Sequence, residues 1–463
     1  MTIAEQNAPP THWAVVGGGM MGLVTALRLA DRGQRVTLLE AGAELGGLTA
    51  AWRLGDVEWD KFYHVILLSD SRIRGLLTEL GLDSEIEWVQ TRTGFFSEGK
   101  LYSLSTSLDF LRFPPLNLYQ KFRLGSTIFL GSKIRNWRSM EGMLVEDWLR
   151  RWSGRSTFQR IWLPLLKAKL GDAYTRTSAG FIWAYIDRMY KARRSGMKRE
   201  MFGYVPGGYK QILKKLAEKL VKKGIDVRCS APVQKVVRNN DTSGTFSVTY
   251  GCDEAIQTAS FDRVVMTVPF SHVASRCEGL TQDEINRMQA TEYLGVTCTS
   301  LLLKQPLGNY YVTNILDPWV PLTGIIEMGS ILKPEKLGGH YLVYLPQYML
   351  SNDPRFEETD ATIHERCLTT LEKMYPNFRR DQVSAIQTAR AKHVMALPTL
   401  NYSSKRPEVI LSQPGLYLLN SARIVKGTLN VNETLELLDE ELDKYVWPHH
   451  LALQPARGPR AAT

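Results

Sequence analysis

Residues 12–47 constrain this chain more than any other stretch. Val15 and Val16 lie in a short apolar run that reads as a buried strand, and Gly17, Gly19 and Gly22 follow at the spacing G-x-G-x-x-G. Leu23 to Arg32 continues as a helix, Gly33 and Gln34 turn the chain, and Val36 to Leu39 makes a second strand with Glu40 at its end. Each part of such a strand–turn–helix–strand unit has a physical task. Gly17 permits the tight turn, Gly19 lets a pyrophosphate approach the backbone, and Gly22 lets helix and strand pack closely. The helix N-terminus faces the phosphate charge. Glu40, eighteen residues beyond Gly22, is placed to accept hydrogen bonds from a ribose diol. A glycine-rich turn in another α/β unit would leave Glu40 without a purpose. The spacing predicts dinucleotide binding.

The loop Glu40-Ala-Gly-Ala-Glu-Leu-Gly46-Gly47, with Leu48 after it, resembles the large FAD-dependent family that holds flavin amine oxidases, protoporphyrinogen oxidases, phytoene desaturases and UDP-galactopyranose mutases. In that family the loop closes on Gly-Gly, whose backbone runs along the FAD pyrophosphate. The resemblance implies an α/β fold: a Rossmann-type FAD-binding domain with an interleaved substrate domain of mixed antiparallel sheet and helical subdomain. Amine oxidases usually place Arg after Gly-Gly. Leu48-Thr49 stands here instead, which shifts weight away from amine oxidation.

Length agrees, since 463 residues suit two interleaved domains better than one core. The expected division gives residues 1–62, 204–290 and 395–448 to the FAD-binding domain. Residues 63–203 form the helical subdomain and 291–394 the substrate-domain sheet, with 449–463 a disordered tail. Cys229, Cys252, Cys277, Cys298 and Cys367 are odd in number, with no C-x-x-C, which argues for a reducing compartment and against a cysteine-built metal site. Met1 to Thr11 has no apolar core of a signal peptide, and no run of eighteen apolar residues occurs. The expected location is cytoplasmic. A net charge of +10 suggests an anionic partner, but no nucleic-acid motif accompanies it, so a nucleic-acid partner is not expected.

The charge has a place. Lys121, Arg123, Lys133, Arg135 and Arg138 occur between Pro115 and Met140 without an acid, interleaved with Leu116, Leu118, Phe122, Leu124, Ile128, Phe129, Leu130, Ile134 and Trp137. Such a stretch, within 112–140, can lie in a membrane interface and attach the protein peripherally to the inner membrane; a helical cap with a solvated charged face is the other reading. Related desaturases and protoporphyrinogen oxidases use this subdomain as a membrane foot. A second basic run, Lys191 to Arg199, reads as a phosphate site or as a solvated loop.

Re-entry to the FAD domain is marked by Tyr204-Val-Pro-Gly-Gly-Tyr209, a helix from Lys210 to Lys223, a strand from Asp226, and Val233-Gln-Lys-Val236. The resembled family carries this signature in mid-chain, with the backbone at the position of Val233 against the adenine. Strands are expected at Phe246 to Tyr250 and at Phe261 to Val268, then in the run Thr297 to Tyr348, the roof of a substrate cavity. At the C-terminal end, Gly415 to Asn420 reads as a strand and Asn430 as a helix start, with Glu433 at capping-box spacing. The resemblance puts Asn420, Ser421, Leu429, Asn430 and Val431 at the flavin, the helix N-terminus facing its N1–C2=O edge. The family has an acid where Asn420 stands, so that contact differs. No cysteine follows Cys367, so the thioether link of some amine oxidases is absent and non-covalent FAD is expected.

Flavin chemistry needs no catalytic acid, and the protein supplies orientation and a dry cavity. The resemblance places Asp60 to Val65 beside the ring, with His64 as a base or donor, or as a packed structural histidine. Tyr63, Tyr344, Tyr348 and Tyr402 are candidates for the substrate wall. Three functions compete: an oxidase, dehydrogenase or desaturase of a lipid-like small molecule; a sugar-nucleotide mutase in which Arg188, Arg193 and Arg194 grip a diphosphate; and a scaffold with structural FAD.

Overall fold

A computed structural model of the protein describes residues 10–194, 201–241, 244–252 and 255–453; side chains at 189–194 lie outside that description. Its centre is a parallel sheet of five strands in the order Asp226–Arg228, Arg35–Leu39, His12–Val16, Arg263–Met266 and Leu416–Leu418. Both faces are covered, as an all-parallel sheet requires. Trp13 and Val15 face a core shared with the helices Met20–Asp31, Gly208–Lys222 and Val431–Glu441. Ala14 and Val16 face the opposite core, closed by the antiparallel strands Val233–Arg238, Phe246–Cys252 and Ala255–Phe261. The expected strand Phe261 to Val268 is two strands. Asp262 divides them: its N–H donates to the His12 carbonyl and its carboxylate accepts the His12 N–H at 2.7 Å.

The second sheet has seven strands in the order Val383–Ala396, Tyr293–Leu303, Tyr341–Leu350, Gly324–Glu327, Val312–Ile315, Thr93–Ser97 and Lys100–Ser103. Leu301, Val343 and Leu345 pack on the helix Asp360–Met374, while Cys298, Leu342 and Tyr344 face the hairpin Ala51–Leu54/Val57–Asp60 and Phe62 to Val65. That second face is where the two sheets meet around the site.

Residues 63–203 carry strands among their helices. Thr93–Ser97 pairs in parallel with Val312–Ile315 and so joins the seven-stranded sheet, and Glu87–Gln90 pairs with Met201–Tyr204. The helix Leu118–Gly131 follows an Asn117–Gln120 capping box and buries Gln120, Leu124 and Thr127. Lys121 is buried too, its Nζ donating to the Leu111 carbonyl at 2.7 Å at the end of the helix Ser107–Arg112. On the outer side Leu118, Tyr119 and Phe122 are 77%, 68% and 70% exposed, with Leu108, Leu111 and Phe129 beside them. Among the described residues no helix is long and apolar enough to cross a membrane.

The expectation of a disordered tail from residue 449 is corrected. Trp447–Ala452 is helical, and His450 is buried against Trp13 and Trp447, an aromatic contact that offsets the entropy of ordering this end. Residues 454–463 lie outside the description, as do 195–200 and every side chain from Lys191 to Arg199.

Candidate functional site

The turn after His12–Val16 forms an open cradle. Gly17 has φ +111°, and a Cβ on it would stand 2.6 Å from Thr267 Oγ1. A Cβ on Gly22 would stand 1.8 Å from the Gly17 carbonyl oxygen, so only glycine brings helix and turn together. A Cβ on Gly19 would meet nothing within 4 Å; open space stands over its backbone. The Glu40 carboxylate accepts the Gly18 N–H at 2.5 Å and the Gly42 N–H at 2.7 Å, tying the end of Arg35–Leu39 to the turn. Gly46 closes the other side, with φ +120° and its N–H on the Gly18 carbonyl at 2.8 Å. These features fit a dinucleotide pyrophosphate: a backbone concavity at a helix N-terminus, kept clear of side chains, with an acid at its rim.

Two later segments complete the rim. Thr267 donates to the Val16 carbonyl at 2.9 Å. Asn420 donates from Nδ2 to the carbonyls of Thr267 and Val268, and its Oδ1 accepts the Ala422 N–H at 2.7 Å. Its side chain therefore joins the ends of Arg263–Met266 and Leu416–Leu418, and both amide hydrogens are taken up within the protein. Ser421 follows in a short turn. Val233 is buried, its carbonyl accepting Arg276 Nε at 2.7 Å.

The helix Val431–Glu441 is capped by Asn430, whose Oδ1 accepts the Glu433 N–H at 3.0 Å. The reciprocal half of the expected capping box is not made. The Glu433 carboxylate does not turn back to the Asn430 backbone N–H but lies against Gly427, where burial pushes its pKa up to about 7; the Asn430 side-chain Nδ2 donates to the Thr428 carbonyl. Leu429, just before the cap, packs against the same buried cluster as Leu48, Tyr63 and Tyr348, so this helix N-terminus and the Gly46-Gly47 loop approach one aromatic wall.

Tyr63 and Tyr348 form that wall, their hydroxyls 3.2 Å apart. The Tyr344 ring lies 6.2 Å from that of Tyr63, and its hydroxyl donates to the Asp60 carbonyl at 2.6 Å. Tyr402 is elsewhere: it donates to the Ala422 carbonyl within the core of the antiparallel strands and does not meet the other three. Burial raises the pKa of Tyr63, Tyr344 and Tyr348, so all three are neutral.

His64 packs 4.8 Å from the Tyr209 ring, with Nδ1 3.9 Å from Asp60 Oδ2 and no hydrogen-bond partner for that nitrogen. Burial lowers the His64 pKa to about 4 and raises that of Asp60 to about 8. Both shifts disfavour the charged forms. Asp60 accepts the Tyr209 N–H at 2.9 Å, fixing the re-entry turn against the hairpin. Sequence reading passed over this role of Asp60. It also passed over Lys169, whose Nζ stands 3.0 Å over the Tyr348 ring centroid; nothing in Lys167-Ala-Lys169 marks one lysine as interior. Arg188 donates to Thr428 at 3.0 Å and to Asp70 at 3.2 Å, an internal tie rather than a free grip on a diphosphate.

A sequence model of the family described as flavin containing amine oxidoreductase matches residues 20–395. The 15-cis-phytoene desaturase of Solanum lycopersicum is 25% identical over 253 residues, 50% of this chain and 43% of that protein. That of Synechococcus elongatus is 23% identical over 249 residues, 50% of this chain and 52% of that one. The chain thus spans about half the length of these curated relatives. Among solved structures, an oxidoreductase from Methanosarcina mazei superposes with a TM-score of 0.71 at 18% identity, over 94% of this chain and all of that one. Putrescine oxidase bound to putrescine gives 0.69 at 16%, over 95% of this chain and 99% of that one. These two likenesses establish the fold.

Proposed function

We propose, from the premise that this chain belongs to the flavin containing amine oxidoreductase family and takes FAD as its cofactor, that it is an oxidoreductase moving a hydride between flavin N5 and an apolar, isoprenoid-like small molecule. Bound FAD supplies the hydride acceptor or donor. The chain's residues hold and shield it. The Gly17–Gly22 turn and the Gly46-Gly47 backbone take the pyrophosphate, Glu40 the ribose, and the Val233 backbone the adenine. The helix N-terminus at Asn430 and Val431 sets partial positive charge at the isoalloxazine edge. Non-covalent FAD is part of this reading, supported by Cys367, the last cysteine of the sequence, being buried with its thiol on Thr299 rather than free for a thioether link.

One observation carries the substrate class. Apart from Lys169, the wall of Tyr63, Tyr344, Tyr348 and His64 is aromatic and without charge, and such a surface, with a lysine and no carboxylate facing it, favours an apolar substrate over a solvated cation. The test is an anaerobic spectrum of the holoprotein. A C40 polyene hydrocarbon such as phytoene is expected to bleach the ~450 nm band of oxidised flavin, and putrescine is expected to leave it unchanged. Bleaching by the diamine and not by the hydrocarbon would overturn the assignment.

The exposed face of Leu118, Tyr119 and Phe122, together with the exposed cations Arg112, Lys133, Arg135 and Arg138 close to it in sequence, supports peripheral attachment to an anionic bilayer. An apolar substrate dissolved in that bilayer would then be delivered beside the helical subdomain. The five cysteines are unbridged, which suits the cytoplasmic face of the inner membrane.

A further inference from the structure

Lys169 is the odd member of the aromatic wall. It lies on the helix Leu163–Leu170, next to the strand Tyr341–Leu350. Its ammonium stands 3.0 Å above the Tyr348 ring centroid, and the Tyr348 hydroxyl meets that of Tyr63. Among the described residues no carboxylate forms an ion pair with it, and burial alone brings its pKa down to about 7. Its neighbour Lys167 is exposed, whereas Lys169 keeps only part of its surface open. Tyr63, Tyr185 and Tyr348 behave likewise, partly open yet strongly desolvated. Side chains that are partly accessible but desolvated line an interior space rather than the outer surface.

A buried ammonium without a counter-ion is costly, and a cation–π contact offsets only part of that cost. Asp60, the acid nearest His64, is taken up by the Tyr209 N–H and, among the described residues, makes no ion pair with Lys169. No group on the wall therefore supplies the missing negative charge. We infer that the substrate supplies it: Lys169 binds a carboxylate at one end of an otherwise apolar molecule, with Tyr348 and Tyr63 holding the adjoining chain. The same ammonium repels an aliphatic amine. The inference rests on the apolar-substrate reading above and deepens it: among apolar molecules, one that ends in a carboxylate is preferred to one that carries no charge.

Calorimetric titration of the FAD-loaded protein with decanoate, decanol and decylamine, below their aggregation limits, tests it. Decanoate is expected to bind about ten-fold or more tighter than decanol, with decylamine weakest. Lys169→Met is expected to remove that preference and leave decanol affinity unchanged. Lys169→Arg should keep it, and Lys167→Met, a control at an exposed site, should match wild type. A wild type that binds decanoate no better than decanol, or a preference that survives in Lys169→Met, would overturn the inference. The flavin absorbance of the same samples judges the cofactor separately: a protein that holds FAD but shows no preference for decanoate overturns the Lys169 inference alone, whereas one that retains no FAD refutes the enzymatic reading.

Discussion

Asn420 donates to the Thr267 carbonyl at 3.0 Å and to that of Val268 at 2.9 Å, fastening two parallel strand ends beside the dinucleotide cradle. A carboxylate at this position would face two carbonyl oxygens without a hydrogen to offer. Asn420→Asp is expected to lower stability by about 3 kcal/mol and to weaken FAD retention. Thermal unfolding and the flavin content after gel filtration measure both. A wild-type transition with full flavin would show that the amide tie is dispensable.

Glu327 gives the fold a pH signature. It is 2% exposed, its Oε2 accepts the Gly308 N–H at 2.9 Å, and its Oε1 has no partner. Burial raises its pKa from 4.5 to about 7. The native state therefore holds this proton more tightly than the unfolded chain. The contribution is fully present below pH 4.5 and is lost as pH climbs to about 7, after which it levels. Glu327→Gln should flatten that slope and exceed wild type at pH 8 by on the order of 2 kcal/mol. Urea unfolding at pH 5 and pH 8 decides it; equal slopes in the two proteins would rule the carboxyl out.

The apolar face of Leu118–Gly131 is expected to bind lipid. Sedimentation with phosphatidylglycerol vesicles should capture the wild type, phosphatidylcholine vesicles much less, and high salt should release it. Leu118→Ser with Phe122→Ser, both at exposed positions, should abolish capture without altering the unfolding temperature. Capture that is indifferent to both substitutions would place the lipid contact elsewhere.

The cradle was legible because a turn that must bring its backbone against a phosphate leaves few choices. Gly17, Gly22 and Glu40 are local in sequence, and each has a steric or hydrogen-bonding consequence. The strand-rich run Thr297 to Tyr348 was legible for the same reason, since buried strands of β-branched and aromatic residues declare themselves. Pairings between distant segments were not. Tyr63 reads like any packed aromatic until Tyr348, far along the chain, brings its hydroxyl alongside, and Tyr402 carries the same local signals yet packs in another core. Lys169 was hidden by its neighbour Lys167: identical side chains two positions apart differ only in what the helix turns them toward. Glu433 had capping-box spacing, but spacing does not tell whether its carboxylate will turn back to the Asn430 backbone N–H or lie against Gly427, as it does.

The parallel sheet carries a consequence for synthesis of the protein. His12–Val16 lies at its middle, between Arg35–Leu39 and a strand that starts at Arg263, and the outer edge waits for Leu416–Leu418. A nascent chain that has left the ribosome only as far as residue 250 has three of the five strands, Asp226–Arg228, Arg35–Leu39 and His12–Val16, but neither of the two on the other side. One edge of the nucleotide turn is then bare, and Trp13 lacks Tyr417 and Trp447 to pack upon. Contacts this distant are slow to form and leave sticky surface while they wait. The protein should therefore capture its cofactor only after most of the chain is complete, and fragments ending before Leu416 should depend on chaperones and hold no flavin.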